Sequence, residues 1–358
     1  MACGKKVVAI DIGGTKIASA LVTLGEGAAP VVEFYDKIPT EAKRGGQQVL
    51  ANAIKMARRV IDLAGEDVCG IGVSSGGVID PRTGDVTYAN DMMPGWGGTH
   101  LGSELTAATG LPARVLNDVH AHALGEARWG AGRDAASCLV VAVGTGIGGA
   151  FVEHGHIMLG AHNEAGHIGH VSCTDAAGVP CQCGATGHLE TIACGPGIID
   201  RYLELGGEPT DEDGNDVDGA VIDRRAAAGD KAAQAAEARS GHAIGEVLGS
   251  LVNMLDPTCI ILSGSVAQIM GTDCETVKAL EDFAALMRVS LTGDNYLAPL
   301  NEELEHIRLF MTLIAFRYKN RVQIEISVPP EMLDVCVPRL CLQPLIENAV
   351  NHGLRPRH

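Results

Sequence analysis

Apolar residues follow two rhythms along this chain. Short apolar runs bounded by glycine alternate with longer stretches in which apolar side chains recur every three or four positions. Val7–Ile12 and Ile17–Val22 are runs of the first kind, joined through Gly13-Gly14-Thr15-Lys16. Leu139–Val143 and Ala150–Val152 form a second pair, joined through Gly144-Thr145-Gly146-Ile147-Gly148-Gly149. Each pair predicts a strand–turn–strand unit. Between them, Val49, Ala53, Ile54, Ala57, Val60 and Ile61 share one side of a helix predicted over Gln47–Leu63. Val68–Val73 predicts a buried strand ending at Ser74-Ser75-Gly76-Gly77. Residues 114–118 predict a short strand, and the alanine-rich 119–129 a helix. Residues 206–219, acidic and rich in glycine, predict a surface loop, 222–255 helix, and Cys259–Leu262 a strand stopping at Ser263-Gly264-Ser265.

Beyond about residue 268 the rhythm changes. Helices of mixed charge are predicted over 275–289 and 301–316. Val322–Val328 alternates as a strand that Pro329-Pro330 breaks, and Leu340–Asn351 predicts a helix after Pro338. Residues 1–120 and 121–268 therefore read as two similar α/β lobes, and 269–358 as a foreign segment.

Two glycine turns suggest one phosphate chain gripped from both sides. Glycine permits φ > 0 and lets a phosphate approach backbone N–H groups closely. Asp11 and Lys16 flank the first turn. The alternative is a pair of tight hairpins without a ligand. Two familiar motifs fail on context. Gly144–Gly149 fits G-x-G-x-x-G, but a dinucleotide fingerprint needs a helix next, and Ala150-Phe151-Val152-Glu153-His154-Gly155 reads as strand and turn. The first turn lacks the residue order and spacing of a Walker loop.

At 358 residues, 46% of them apolar, the chain can hold two or three domains with full cores, and 3% aromatic content makes those cores aliphatic. The net charge of −17 disfavours nucleic acid and anionic membranes as partners. A signal peptide and a bilayer-spanning run are not expected, so the expected location is cytoplasmic. Eleven cysteines then read as free thiols or metal ligands, with Cys69, Cys138 and Cys259 as core residues.

His170, Cys181, Cys183 and His188 gather potential metal ligands around Gly184. Thiolate and imidazole suit tetrahedral zinc in a closed site. The alternative is exposed polar residues and free thiols. Cys173 is a spare candidate, and Cys194 is expected to pack beside Ile192. Asn117-Asp118 ends the strand Arg114-Val115-Leu116. A carboxylate there suits a general base for a hydroxyl nucleophile, with Asn117 fixing a substrate hydroxyl or the carboxylate. The alternative is that Asp118 N-caps the following helix.

Asp11-Ile12-Gly13-Gly14-Thr15-Lys16, Asn117-Asp118, Gly144–Gly149 and Gly166–Glu190 together make 5–268 resemble the ROK family of sugar kinases and related repressors. That resemblance implies the actin-like ATPase (ribonuclease H-like) two-lobed fold. It implies ATP phosphates at Asp11, Gly13, Gly14, Thr15 and Lys16 and at Gly144, Thr145 and Gly146, with Asp11 helping to place Mg²⁺. Gly264 resembles the start of the adenosine-binding segment. Asp118 matches the base, and Gly76, Gly77, Asn117, His170 and Glu190 match the sugar side. Asn90-Asp91-Met92-Met93-Pro94-Gly95-Trp96 matches a loop before the sugar cleft, with Trp96 packing. In two places the chain departs from the family. His167 stands where a sugar-binding glutamate is usual, and His188 where the last zinc cysteine is usual. The resemblance implies Zn²⁺ on His170, Cys181, Cys183 and His188. It implies ATP-dependent phosphorylation of a hexose, glucose or an N-acetylhexosamine, at its 6-hydroxyl, by a homodimer. A repressor's DNA-binding helix-turn-helix is not expected, since the first strand comes almost at once. A non-catalytic sugar sensor is the alternative.

The tail resembles something else. Leu300–Arg308, Phe316-Arg317-Tyr318 and Pro338–Gly353 look like sensor histidine kinases of the LytS/YesM type, in which Asn348 would ligate Mg²⁺ of ATP beside Glu347. The later glycine boxes of that class are missing, so a partial, inactive segment is expected, the alternative being a fusion protein that signals through this tail, and replaced closing helices would impair the adenine side of the first domain.

Overall fold

The computed structural model describes residues 5–25, 29–65, 67–270, 297–317, 326–338, 342 and 346. The chain divides into two compact units, Met1–Val171 with Asp256–Ser265, and Ser172–Leu255 with Val266–His358.

The first unit opens with the hairpin β1 (Lys5–Ile12) and β2 (Lys16–Leu24), extended antiparallel by β3 (Val31–Pro39). Val8, Ile10 and Ile12 alternate into the core as strand geometry requires. Helix α1 (Gly46–Ala64) buries Val49, Leu50, Ala53, Met56, Ala57 and Val60 at helical spacing and stops at Gly65, whose φ is 77°. Strand β4 (Val68–Ser75) then runs parallel to β1. A small hairpin of β5 (Val78–Asp80) and β6 (Asp85–Tyr88) and helix α2 (Leu101–Thr109) lead to β7 (Ala113–Asn117), parallel to β4. The sheet order is β3-β2-β1-β4-β7.

Helix α3 (Asp118–Trp129) leaves the end of β7 and packs on a second sheet. That sheet repeats the opening hairpin as β8 (Ser137–Val143) and β9 (Ile147–Glu153), with β10 (His156–Ile157) on the outer side. In the second unit, α4 (Glu190–Ala193), α5 (Gly195–Glu204), α6 (Gly219–Ala227) and α7 (Lys231–Leu255) follow. Strand β11 (Cys259–Ser263) returns to the first unit, parallel to β8, giving the order β10-β9-β8-β11. It is followed by α8 (Ser265–Met270). Later, β12 (Leu297–Pro299) pairs antiparallel with β13 (Cys336–Pro338), and α9 (Leu300–Arg317) lies between them in sequence.

Several expectations need correction. Residues 222–255 are helical as expected, in two pieces, because Gly229, with φ of 97°, separates α6 from α7. Cys69 is exposed, because the β1–β4 register shifts between Val68 and Ile71 and interrupts the alternation that would otherwise bury it with Ile71 and Val73. Cys259 is half-buried, whereas Cys138 is buried and its thiol is pushed up to about 11 by loss of water. Residues 326–328 are not strand, and the rest of the predicted strand, the helix over 275–289 and nearly all of 340–351 lie outside the described residues.

Candidate active site and metal cluster

At the first turn, Gly13 N–H donates to Lys16 O at 3.0 Å, and Thr40 N–H to Thr15 O at 3.0 Å. The Thr40 hydroxyl donates to Gly13 O at 2.6 Å, from a side chain with 0% exposure. Thr40 thus braces the turn from β3's end, a role its place after Pro39 did not signal. Asp11, Thr15 and Lys16 are exposed, and Ser74 donates to Asp11 Oδ1 at 2.9 Å.

The expectation of φ > 0 in these turns is corrected. None of Gly13, Gly14, Gly144 or Gly146 is left-handed. Nor is space the reason at Gly13, Gly14, Gly76 or Gly144, where an added β-carbon would meet nothing nearer than 3.4 Å. The fold leaves open the space where those four β-carbons would stand. Gly148 and Gly149 are different: β-carbons there would lie 2.8 Å from Val119 and 2.7 Å from Ile168. Gly77 (φ 101°) and Gly264 (φ 92°) are also imposed by the fold, facing Tyr88 O at 2.6 Å and Val143 O at 2.3 Å. Gly264 therefore sits directly behind the strand that enters the second turn, and the exposed Thr145 lies at that turn's tip.

Asp118 starts α3, but Asn117 is the cap, which corrects the capping alternative. Asn117 Oδ1 accepts from Val119 N at 3.0 Å and His120 N at 3.4 Å, while Asn117 Nδ2 donates to Gly77 O at 2.9 Å. The residue before a helix has the extended backbone that lets a side-chain oxygen reach those N–H groups, and Asn117 (φ −59°, ψ 149°) has it. Asp118 Oδ1 accepts from Val119 N at 2.9 Å, and its other side faces solvent. Crowding by surrounding protein pushes the Asp118 carboxyl above its ordinary value of 3.8, the Val119 N–H opposes this, and the negative charge of Asp11 adds to the rise. Because Val119 packs on Gly148, Asp118 lies next to a residue that touches the second hairpin, and the charge of Asp11 reaches it from the first. The structure thus brings Asp11, Asp118 and the second turn into one neighbourhood of the first unit. A carboxylate so placed can accept a proton from a bound hydroxyl.

Among the described residues, the ligand atoms of His170, Cys181, Cys183 and His188 lie within 4.8 Å of one another. A tight turn makes this local: Cys181 N–H donates to Ala185 O, Gly184 N–H to Cys181 O, and Gly184 has φ of 91°. Cys183 Sγ and His188 Nδ1 are 3.3 Å apart. Two thiols and two imidazoles converging without a carboxylate are a donor set that fits zinc. Cys173 and Cys194 are buried outside this group. His167 is exposed, stacks on His170 with ring centres 6.3 Å apart, and bonds Glu164 O through Nδ1 at 2.6 Å. Half-buried Glu190 opens α4.

A family model described as the ROK family matches residues 7–286. The glucokinase of Halalkalibacterium halodurans is 31% identical over 83% of this chain and 91% of its own length. The N-acetylmannosamine kinase of Escherichia coli O157:H7 is 32% identical over 81% of the chain and 93% of its own. A ROK hexokinase from Thermus thermophilus superposes with a TM-score of 0.66 at 31% identity, covering 78% of this chain and 88% of that one. A ROK-family transcriptional regulator, a homologue of the E. coli MLC protein, superposes at 0.67 with 25% identity, covering 79% and 70%. The fold is accordingly the α/β actin-like one. The family match runs past residue 268, where the change of rhythm suggested a junction. Of the histidine-kinase-like boxes, Leu300–Arg317 is helix, while Tyr318 and nearly all of 339–353 lie outside the described residues.

Proposed function

Because this chain belongs to the ROK family, we propose that it is an ATP-dependent hexose kinase acting on the 6-hydroxyl of glucose or an N-acetylhexosamine. The observation that carries this reading is Asp118 beside Val119, which packs on the second glycine turn, and within reach of Asp11 at the first, its carboxyl raised in pKa by crowding and by Asp11. A base with a raised pKa takes a hydroxyl proton more readily. As Asp118 accepts that proton, the sugar oxygen attacks the γ-phosphorus and the bond to ADP breaks. Gly13, Gly14, Thr15, Lys16, Gly144, Thr145, Gly146 and Gly264 are assigned to the nucleotide, and Asp11 to the Mg²⁺ that neutralises its charge. Gly76, Gly77, Asn117, His167, His170 and Glu190 are assigned to the sugar. Asn117 can serve there only through lone pairs and protons left over from its cap and its bond to Gly77. Zn²⁺ on His170, Cys181, Cys183 and His188 would hold the 170–188 segment in shape. Metal analysis should find about one zinc per chain, lost from the Cys181→Ser, Cys183→Ser double variant.

The regulator neighbour keeps a non-catalytic sugar sensor as the rival. A coupled ADP-release assay across hexoses separates the two. Turnover with at least one hexose is expected, and Asp118→Asn should cut kcat by roughly 10²–10⁴-fold. No turnover with any hexose, or turnover indifferent to Asp118→Asn, overturns the proposal. Sugar binding without nucleotide binding in calorimetry would favour the sensor.

A further inference from the structure

We propose that Trp96 and Ser75 are positioning residues that set Asp118 through a path of hydrogen bonds joined by the Gly76–Gly77 backbone. This rests on Asp118 being the base. Trp96 and Ser75 both have 0% exposure. A buried indole N–H must find an acceptor, and Trp96 Nε1 donates to Ser75 Oγ at 3.1 Å. Ser75 spends its own proton on Gly76 O at 3.0 Å, so its hydroxyl is oriented from both sides.

From Gly76 the chain divides. Gly76 N–H donates to Ile12 O at 3.1 Å, and Ile12 leads directly into Gly13 and Gly14. On the other side, Gly77 O accepts from Asn117 Nδ2 at 2.9 Å, and Asn117 Oδ1 takes the Val119 and His120 N–H groups. The same Val119 N–H holds Asp118 Oδ1. The hydrogen bonds are directional; the first, from Trp96 to Ser75, is buried, those at Gly76, Gly77 and Asn117 are partly buried, and the last, at Asp118, is exposed. Bonds sheltered from water strengthen one another.

The far end is anchored. Trp96 sits in a run of three turns, Met93 N–H to Asn90 O, Trp96 N–H to Met93 O and Thr99 N–H to Trp96 O. The start of α1 presses on it: a β-carbon on Gly46 would lie 2.0 Å from Gly95 O. The loop that carries Trp96 therefore cannot shift without moving α1. The chemistry itself needs neither Trp96 nor Ser75 in contact with a substrate. What they supply is placement, and a displaced base loses rate rather than ATP affinity.

The test uses the full chain. Ser75→Ala and Trp96→Phe keep volume and ring while removing one link each. Each should lower kcat roughly tenfold to a hundredfold with KM for ATP changed less than about twofold. The double variant should cost no more than the worse single, since both cut one chain. Unchanged kcat, or two effects that simply add, overturns the proposal and makes the pair mere packing. A second readout needs neither ATP nor sugar. The chain has two tryptophans, so ¹H–¹⁵N spectra show two indole signals, assigned with Trp129→Phe. Asn117→Asp keeps a good cap but removes the donor to Gly77, and should move the Trp96 indole signal. An unmoved signal overturns the coupling. If the wild-type chain phosphorylates no hexose, the kinase reading falls, and the indole result alone decides the coupling.

Discussion

The hairpins β1–β2 and β8–β9 are built alike and use glycine differently. Both join two strands through a glycine turn, and both gain a parallel strand, β4 or β11, on the same side. In the first, Gly14 has open space around it, with Met92 Cε 3.8 Å from an added β-carbon, and the turn is braced from below by Thr40. In the second, Gly148 and Gly149 are filled by Val119 and Ile168. One motif thus contains two kinds of glycine. Some, such as Gly14, stand in open space, where the proposed nucleotide would approach the backbone. Others are small because a neighbouring element already occupies the place of a side chain. The first sheet also carries a further parallel strand, β7, and it is this strand that delivers Asn117 and Asp118.

Substitutions can break that contrast. Gly149→Ala should cost the most stability, about 1–3 kcal/mol, because its β-carbon meets Ile168 at 2.7 Å and the Val140 carbonyl at 3.2 Å. Denaturant unfolding measures it, and an unchanged midpoint would place Gly149 with the open glycines. Gly14→Ala should leave the unfolding midpoint nearly unmoved yet weaken ATP binding by roughly tenfold, about 1.4 kcal/mol, read by calorimetry. A loss of stability without loss of binding would reverse the assignment of the first turn. The smallest effect concerns Asp118 and pH. Its folded pKa is raised above 3.8, so folding takes up a proton in the interval between the two values, and its contribution to stability falls as pH rises through that interval. Asp118→Asn should therefore raise the melting temperature slightly at pH 7 and leave it unchanged at pH 3. A lower melting temperature at pH 7 would mean the carboxylate is stabilised in place instead.

Much of this site is legible in the order of its residues. The period-two runs and the glycines between them mark both hairpins, and Asn117-Asp118 at a strand end marks the proposed base. The cluster at His170, Cys181, Cys183 and His188 is legible from residue chemistry and a turn glycine. Thr40 is not legible, because its hydroxyl acts on Gly13 from 27 positions away. Nor is the Trp96–Ser75 link, which spans 21 positions.

What the residues determined by themselves is local: strand and helix periods, the turn at Gly184, the donor types able to bind metal or move a proton. These follow from covalent geometry and side-chain chemistry within a few residues. The tertiary structure alone decided that Asn117 and not Asp118 caps α3, that Cys69 faces outward, and which glycines stand open. Each of those depends on strand register and on what packs across from it, and such contacts are set by the shape of the whole core.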